Sequence, residues 1–291
     1  MSIETVSIKI IPSGQACGAE IQGINIANVL NDSTFKSIEG ALHDNGVIIF
    51  RNQNITEANH IAFSKRFGNI EKNNTAKYYA HPDYPDEILI VSNKKENGIY
   101  VGNPNSGHTW HTDQSYSKRP PRATVLSALE VPMKDGKPLG DTLFANTATA
   151  YNTLPTDMKK RLEGLKAIHS FSARKHGSNA DKQKNAKPKD SHPEVLHPIV
   201  RTHPFSGQKC LYVNEGECIG IANMPDQEAL PLIKELSDYI IKPEFIYRHH
   251  WQKGDLVMWD NCVVHHRAIK DYGPDDLRYV HRTLVMGTEP F

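Results

Sequence analysis

Short apolar or alternating runs bounded by turn residues recur along the whole chain: "VSIKII", "GVIIFRN", "EILIVSN", "ATVLSALEV", "DTLFAN", "HPIVRTHP", "KCLYVNEG", "FIYRHHW", "DLVMWDN", "VVHHRAI" and "RTLVMG". Their length and β-branched content predict strands, because extended backbone sends alternate side chains to opposite faces and branched groups pack well there. The runs outnumber the helical patterns and are not separated by regular helices. A doubly wound parallel sheet is therefore disfavoured, and a sandwich or barrel, mainly β with flanking helices, is expected. The 291 residues suit one domain, 1–291, with long insertions.

Helical patterns are fewer. Residues 33–44 place Phe35, Ile38 and Leu42 on one face behind Asp32 or Ser33 as N-cap. Thr156 is expected to cap a helix that turns Met158, Leu162 and Leu165 inward, and Asp226 one that turns Ile233, Leu236 and Ile240 inward. Residues 56–67, "TEANHIAFSKRF", are a weaker fourth candidate. Three polar stretches rich in Asn, Gly, Lys and Pro, near 73–86, 93–109 and 173–196, are too long for plain connections and read as lids or disordered segments.

Charge excludes some partners. The 34 Lys and Arg nearly cancel the 33 Asp and Glu, leaving +1 at pH 7 with histidine neutral, so no overall field recruits nucleic acid or an anionic membrane. An acidic ligand must then be held by local arginines. Cys17, Cys210, Cys218 and Cys262 form no C-x-x-C pair, which points away from zinc ribbons and disulfide frameworks and toward a reducing, cytoplasmic setting. The opening "MSIETVSIKI" lacks a basic segment followed by an apolar one, so no export signal is expected.

The chemistry-bearing stretch is "HTWHTDQSY", residues 108–116. If it is a strand, His111 and Asp113 share a face and reach one ion while Thr112 points away. Alone, the pair fits a half-exposed polar strand better than a metal site. The block "GDLVMWDNCVVHHRAIKDYGPDDLRYVHRTLVMGTEP" changes the balance by offering His265 or His266 as a third ligand, then Arg278 and Arg282 four apart. Two histidines and one carboxylate on one face of Fe(II) leave three positions open, enough for a bidentate 2-oxo acid and O2. An arginine fork suits the distal carboxylate of such an acid. Each arginine equally fits a surface ion pair with Asp275, Asp276 or Glu289.

Taken in order, "GAEIQGINIA", "FSKRFGNIE", "WHTDQSY", "GDTLFAN", "LHPIVRTHPFSGQKCLYVNEG" and the C-terminal block resemble the taurine dioxygenase / 2,4-dichlorophenoxyacetate dioxygenase family of Fe(II)/2-oxoglutarate-dependent oxygenases over nearly the whole chain. The resemblance implies a double-stranded β-helix, or jelly roll, and usually a dimer or tetramer. It implies that His111, Asp113 and His266 ligate Fe(II), with His265 on the opposite face of its strand. It also implies that Thr142 and Arg278 hold 2-oxoglutarate, and that Arg282 holds the acidic group of the substrate. The activity implied consumes O2, converts 2-oxoglutarate to succinate and CO2, and hydroxylates a small anionic organic substrate, a carboxylate or sulfonate. Halogenating relatives lack the carboxylate that Asp113 supplies, so halogenation is not expected.

For the substrate, taurine dioxygenases carry an Asn shortly before the H-x-D, where this chain has Gly107. "LVMWDN", "GTEP" and "HSFSARKHG", with His169, Arg174 and Lys175, lean toward the aryloxyalkanoate-degrading branch instead. Lys77, Tyr78 and Tyr79, in the first lid, are candidate substrate contacts. So is Arg174, which can close over an anion. The adjacent tyrosines also resemble the isonitrile-forming enzymes of the superfamily, so oxidative decarboxylation of an N-substituted amino acid is an alternative. A non-catalytic β-sandwich binding protein and a zinc hydrolase are readings of other classes. Tyr212 and Asn214 read as core and loop positions with a lesser claim on the pocket, and His197, His203, His249 and His250 as structural or surface residues.

Overall fold

The computed structural model describes residues 8–72, 83–104, 107–173 and 193–291. A seven-stranded sheet runs in the order β1 (Lys9–Pro12), β2 (Ala19–Gln22), β3 (Val47–Phe50), β17 (Leu256–Asp260), β7 (Ala123–Glu130), β19 (Tyr279–Val285), β4 (Leu89–Ser92). All its pairs are antiparallel except β2 with β3. A three-stranded sheet, β16 (Ile246–His249), β10 (Thr142–Asn146), β18 (Val264–Ala268), faces it. Beyond lies a second three-stranded sheet, β12 (Val195–Pro198), β11 (Lys166–His169), β15 (Cys218–Ile221), and the pair β13 (Val200–Thr202), β14 (Lys209–Leu211). The hairpins β5 (Lys95–Glu96)–β6 (Ile99–Tyr100) and β8 (Met133–Lys134)–β9 (Lys137–Pro138) complete the strands.

Alternation along the strands builds the layers. Val47 and Ile49 of β3, Leu126 and Ala128 of β7, and Val257 and Trp259 of β17 meet Phe144, Tyr247 and Val264 of the small sheet in one core. The intervening Ile48, Phe50, Val125, Leu256 and Met258 point outward and pack under Phe35, Ile38, Leu42 and Phe63 of two helices, Asp32–Asn45 and Glu57–Lys65. The far side of β10, at Ala145, is covered by a third cluster containing Leu232, Ile233 and Leu236 of the helix Asp226–Ile240. Strands apolar on both faces are thus the ones sandwiched between layers.

The helix ends depart from the sequence reading in instructive ways. Asn31, not Asp32 or Ser33, caps the first helix by accepting from Thr34 N–H at 2.8 Å. Gly46 closes it at φ +68, a left-handed position that glycine adopts without strain. The weaker candidate is a helix with a full capping box between Thr56 and Asn59. Thr156 and Asp226 are first helical residues rather than caps: Pro155 and Pro225 precede them and neither helix has a side-chain cap. A fifth helix, Thr147–Thr153, was not legible because "TATAYNT" has no apolar period; Asn146 starts it by accepting from Ala148 and Thr149. Within 93–109 the chain forms the β5–β6 hairpin, with Asn97 at φ +50 and Gly98 at φ +79, the turn chemistry of an Asn-Gly pair. The other two expected lids fall mostly outside the described residues.

Candidate active site

His266 lies on β18 opposite Phe144 of β10. Phe144 belongs to the core between the two sheets, so His266 faces that interior. Its neighbour His265, opposite Ala145, faces away, as the resemblance implied. His111 reaches His266 through a single antiparallel bridge, His111 N to His266 O at 3.1 Å and His266 N to His111 O at 2.8 Å.

The H-x-D stretch is not a strand. After His111 the backbone turns, with Gln114 at φ +49, and the turn rather than a shared strand face aims Asp113 at the two histidines. One ligand atom from each of His111, Asp113 and His266 lies within 4.8 Å of the others. The Asp113 oxygens stand 4.0 Å from His111 Nε2 and 3.9 Å from His266 Nε2.

Those separations test the site for a metal. They are too long for hydrogen bonds, so the imidazoles and the carboxylate do not satisfy one another although all three are buried. A cation between them is the species that satisfies all three. The protonation states agree. His111 Nδ1 lies 2.8 Å from Thr109 O, which only accepts, so Nδ1 donates there and Nε2 is the nitrogen turned toward the cluster. Burial holds His266 well below the usual histidine range, in the neutral, ligating form. Burial pushes the Asp113 carboxyl up, but Arg282 first, then His266, His111 and the Thr124 hydroxyl outweigh it and hold the group ionised.

Asp113 is positioned from behind. Thr124 donates to its Oδ2 at 2.6 Å, and Asn261 Nδ2 donates to Thr124 Oγ1 at 2.9 Å. Trp259 Nε1 fixes the Asn261 amide at 3.0 Å, and Asn261 O accepts from Thr112 at 2.9 Å. The W-D-N motif therefore clamps the H-T-D turn. The sequence reading named neither Asn261 nor Thr124; the signal was the amide beside a tryptophan in "LVMWDN".

Arg282, opposite Leu126 on β19, places Nη1 3.4 Å from Asp113 Oδ1. Arg278 precedes the strand, which shifts register between Tyr279 and Val280, so the two arginines are not a simple i, i+4 pair on one strand. Arg278 is 6% exposed. It lines a cleft with Ser92, Asn103 and Tyr272 and lies beside Gly140. Burial lowers its pKa against support from Tyr272, and among the described residues it pairs with no carboxylate. Neither arginine makes the surface ion pairs with Asp275, Asp276 or Glu289 that the sequence left open. Thr142 shares the His266 side of the small sheet, two positions from Phe144 and opposite Ala268, and its hydroxyl accepts from Trp251 Nε1 at 3.0 Å.

Lys77, Tyr78, Tyr79, Arg174 and Lys175 lie outside the described residues. A Cβ built at Gly107, where φ is +77, would stand 3.5 Å from His111 Cε1, so that position borders the cluster and presents no side chain. Of the histidines read as structural or surface residues, His203 donates to Asp260 at 2.9 Å, His249 lies 3.1 Å from Asp255, His197 lies 3.0 Å from Ser117 O, and the exposed His250 lies 2.8 Å from Asp141. Tyr212 is fully buried, beside His169 and His197.

A sequence profile of the taurine catabolism dioxygenase TauD, TfdA family matches residues 9–284. The alpha-ketoglutarate-dependent 2,4-dichlorophenoxyacetate dioxygenase of Burkholderia sp. (strain RASC) is 31% identical over 298 residues, spanning 99% of this chain and 95% of the relative. A crystal structure of a taurine dioxygenase from Burkholderia xenovorans superposes with a TM-score of 0.80 at 29% identity, covering 98% of this chain and 91% of that one. The crystal structure of AAD-2 in complex with Mn(II) and N-oxalylglycine superposes at 0.79 with 28% identity, covering 98% and 99%.

Proposed function

This chain belongs to the taurine catabolism dioxygenase TauD, TfdA family, and from that premise we propose that it hydroxylates a small organic acid, aryloxyalkanoate-like rather than taurine. It is a 2-oxoglutarate-dependent dioxygenase whose cofactors are Fe(II), 2-oxoglutarate and O2. Bound iron with 2-oxoglutarate and O2 supplies the oxidising power for hydroxylating an unactivated C–H bond, with release of succinate and CO2. The single observation that carries the site assignment is the convergence of His111, Asp113 and His266 within 4.8 Å.

In this reading His111, Asp113 and His266 hold the iron. Thr142 and the buried guanidinium of Arg278, which pairs with no carboxylate among the described residues, hold 2-oxoglutarate, whose distal carboxylate satisfies the buried charge. Arg282 binds the acidic group of the substrate. Arg282, which stands 3.4 Å from Asp113, would be free to turn its guanidinium to the substrate's acidic group if Asp113 gave its charge to a bound metal. The core packed around the cluster excludes water and fixes the C–H bond in line.

The preference for an aryloxyalkanoate draws support from the 2,4-dichlorophenoxyacetate-acting relative and from the missing side chain at Gly107. Lys77, Tyr78, Tyr79 and Arg174 complete the substrate pocket in this proposal, carried on lids near 73–86, 93–109 and 173–196 of one domain. The two facing sheets are read as the halves of a double-stranded β-helix. Four buried free thiols support a reducing, cytoplasmic setting, and the working assembly is a dimer or tetramer. Among the described residues no helix is long and apolar enough to cross a membrane.

The test is anaerobic. Fe(II) and 2-oxoglutarate added to the apoprotein should give the weak visible charge-transfer band of the chelate, and aryloxyacetates should shift it and drive succinate release in air. Bound iron without a band would contradict the cosubstrate assignment, and a shift with taurine alone would contradict the substrate class.

A further inference from the structure

A cavity of about 120 Å³ that shares no lining residue with the proposed active site lies between Arg122 and Arg201, with Phe67, Pro204, Phe205 and Cys262 in its walls. Arg122 is well held: it donates to Phe67 O at 2.9 Å and to Glu39 Oε1 at 2.9 Å, contacts His43 Nε2 at 2.8 Å, and stacks on the Phe205 ring at 3.6 Å. Arg201 is held by almost nothing polar. It is 2% exposed and lies over the Tyr212 ring at 4.7 Å, and among the described residues its guanidinium makes no hydrogen bond or ion pair.

A guanidinium carries five donors and no acceptor, and burying it without acceptors is strongly unfavourable. Asp260 supports the charge through space, but its oxygens are engaged by His203 Nε2 at 2.9 Å and Cys262 N at 2.8 Å. The Nε of Arg122 is likewise buried without an acceptor. Two guanidiniums thus border one empty space with donors to spare.

The walls select the occupant. Water at about 30 Å³ per molecule would need two to four polar partners each, whereas half of the lining residues are proline, phenylalanine or methionine. Phosphate or sulfate would leave oxygens facing the same apolar surface. A carboxylate on a small apolar body puts both oxygens on the arginine fork and its carbon skeleton against the rings. We propose that this cavity is a second binding site, distinct from the iron centre, for a small apolar monocarboxylate held by Arg201 and Arg122.

The probe is benzoate, titrated calorimetrically into a parent protein that is the full chain carrying Arg282→Ala and loaded with Mn(II) and N-oxalylglycine, so that neither the metal and 2-oxoglutarate positions nor the proposed substrate arginine competes for it. One saturable site is expected. Arg201→Lys keeps the charge but loses the fork and should weaken binding by about tenfold or more. Thr288→Trp, at the exposed rim of the cavity, should abolish binding while the circular dichroism spectrum stays that of the parent, which separates blockage from misfolding. No heat with the parent protein would mean the cavity holds ordered water only and would overturn the proposal, as would benzoate binding indifferent to both substitutions. Sulfate binding as tightly as benzoate would overturn the carboxylate assignment.

Discussion

The carboxylate of Asp113 is aimed by a relay that begins with Trp259 and passes through Asn261 and Thr124. Removing the middle of that relay leaves the ligands present but unsupported, so Asn261→Ala should weaken Fe(II) binding by about 10–100-fold, measured by competition with a chelator dye. Asp113→Ala and His266→Ala should abolish the charge-transfer band, whereas His265→Ala should keep it, because His265 faces away from the cluster; the reverse result for the two histidines would show the register to be wrong. The arginines separate by readout. Arg278→Ala should raise the 2-oxoglutarate requirement by about 2–5 kcal/mol, the cost of stripping a charged partner from a buried carboxylate. Arg282→Ala should instead raise KM for the prime substrate, and a change confined to the cosubstrate would exchange the two roles.

At the level of elements, the ends of the two helices covering the large sheet depend on local chemistry. Thr56→Ala opens the capping box and should lower stability by about 1 kcal/mol. Gly46→Ala should cost more, because it forces an alanine into φ +68 and sets its Cβ 2.9 Å from Val264 Cγ1, on the strand that carries His266. The two melting-temperature shifts should therefore rank with Gly46→Ala the larger, and a smaller shift there would mean that β18 yields easily. Strands were legible where β-branched or aromatic residues cluster, as in Val47–Phe50 and Leu89–Ser92. Ala19–Gln22, Lys166–His169 and Cys218–Ile221 were not, since their apolar residues are few and scattered among Ala, Gly and polar ones, and they owe their extended state to the neighbours they pair with.

Over the whole molecule, burial of neutral histidines sets the response to acid. Burial first, then His281, pushes His60 down to about 3, and burial with His111 does the same to His265. Unfolding lets each regain an ordinary pKa near 6.5, so below pH 6.5 the unfolded chain binds more protons and stability falls as pH drops toward 3. Each such group contributes up to about 1.4 kcal/mol per pH unit in that window. The metal-free protein should accordingly melt lower at pH 5 than at pH 7, and His60→Phe should flatten the slope; an unchanged slope would remove His60 from the account. The sequence by itself determined the mainly β character, the family and the residue types that converge on a metal, because apolar patterning and ordered motifs are properties of the chain alone. Only the tertiary structure decided that a turn rather than a strand aims Asp113, that Asn261 and Thr124 hold it there, and that Arg201 is buried over the Tyr212 ring with no hydrogen-bond acceptor among the described residues. Each of those depends on which distant segments pack together, and hydrogen-bond geometry across such contacts leaves no periodic trace in sequence.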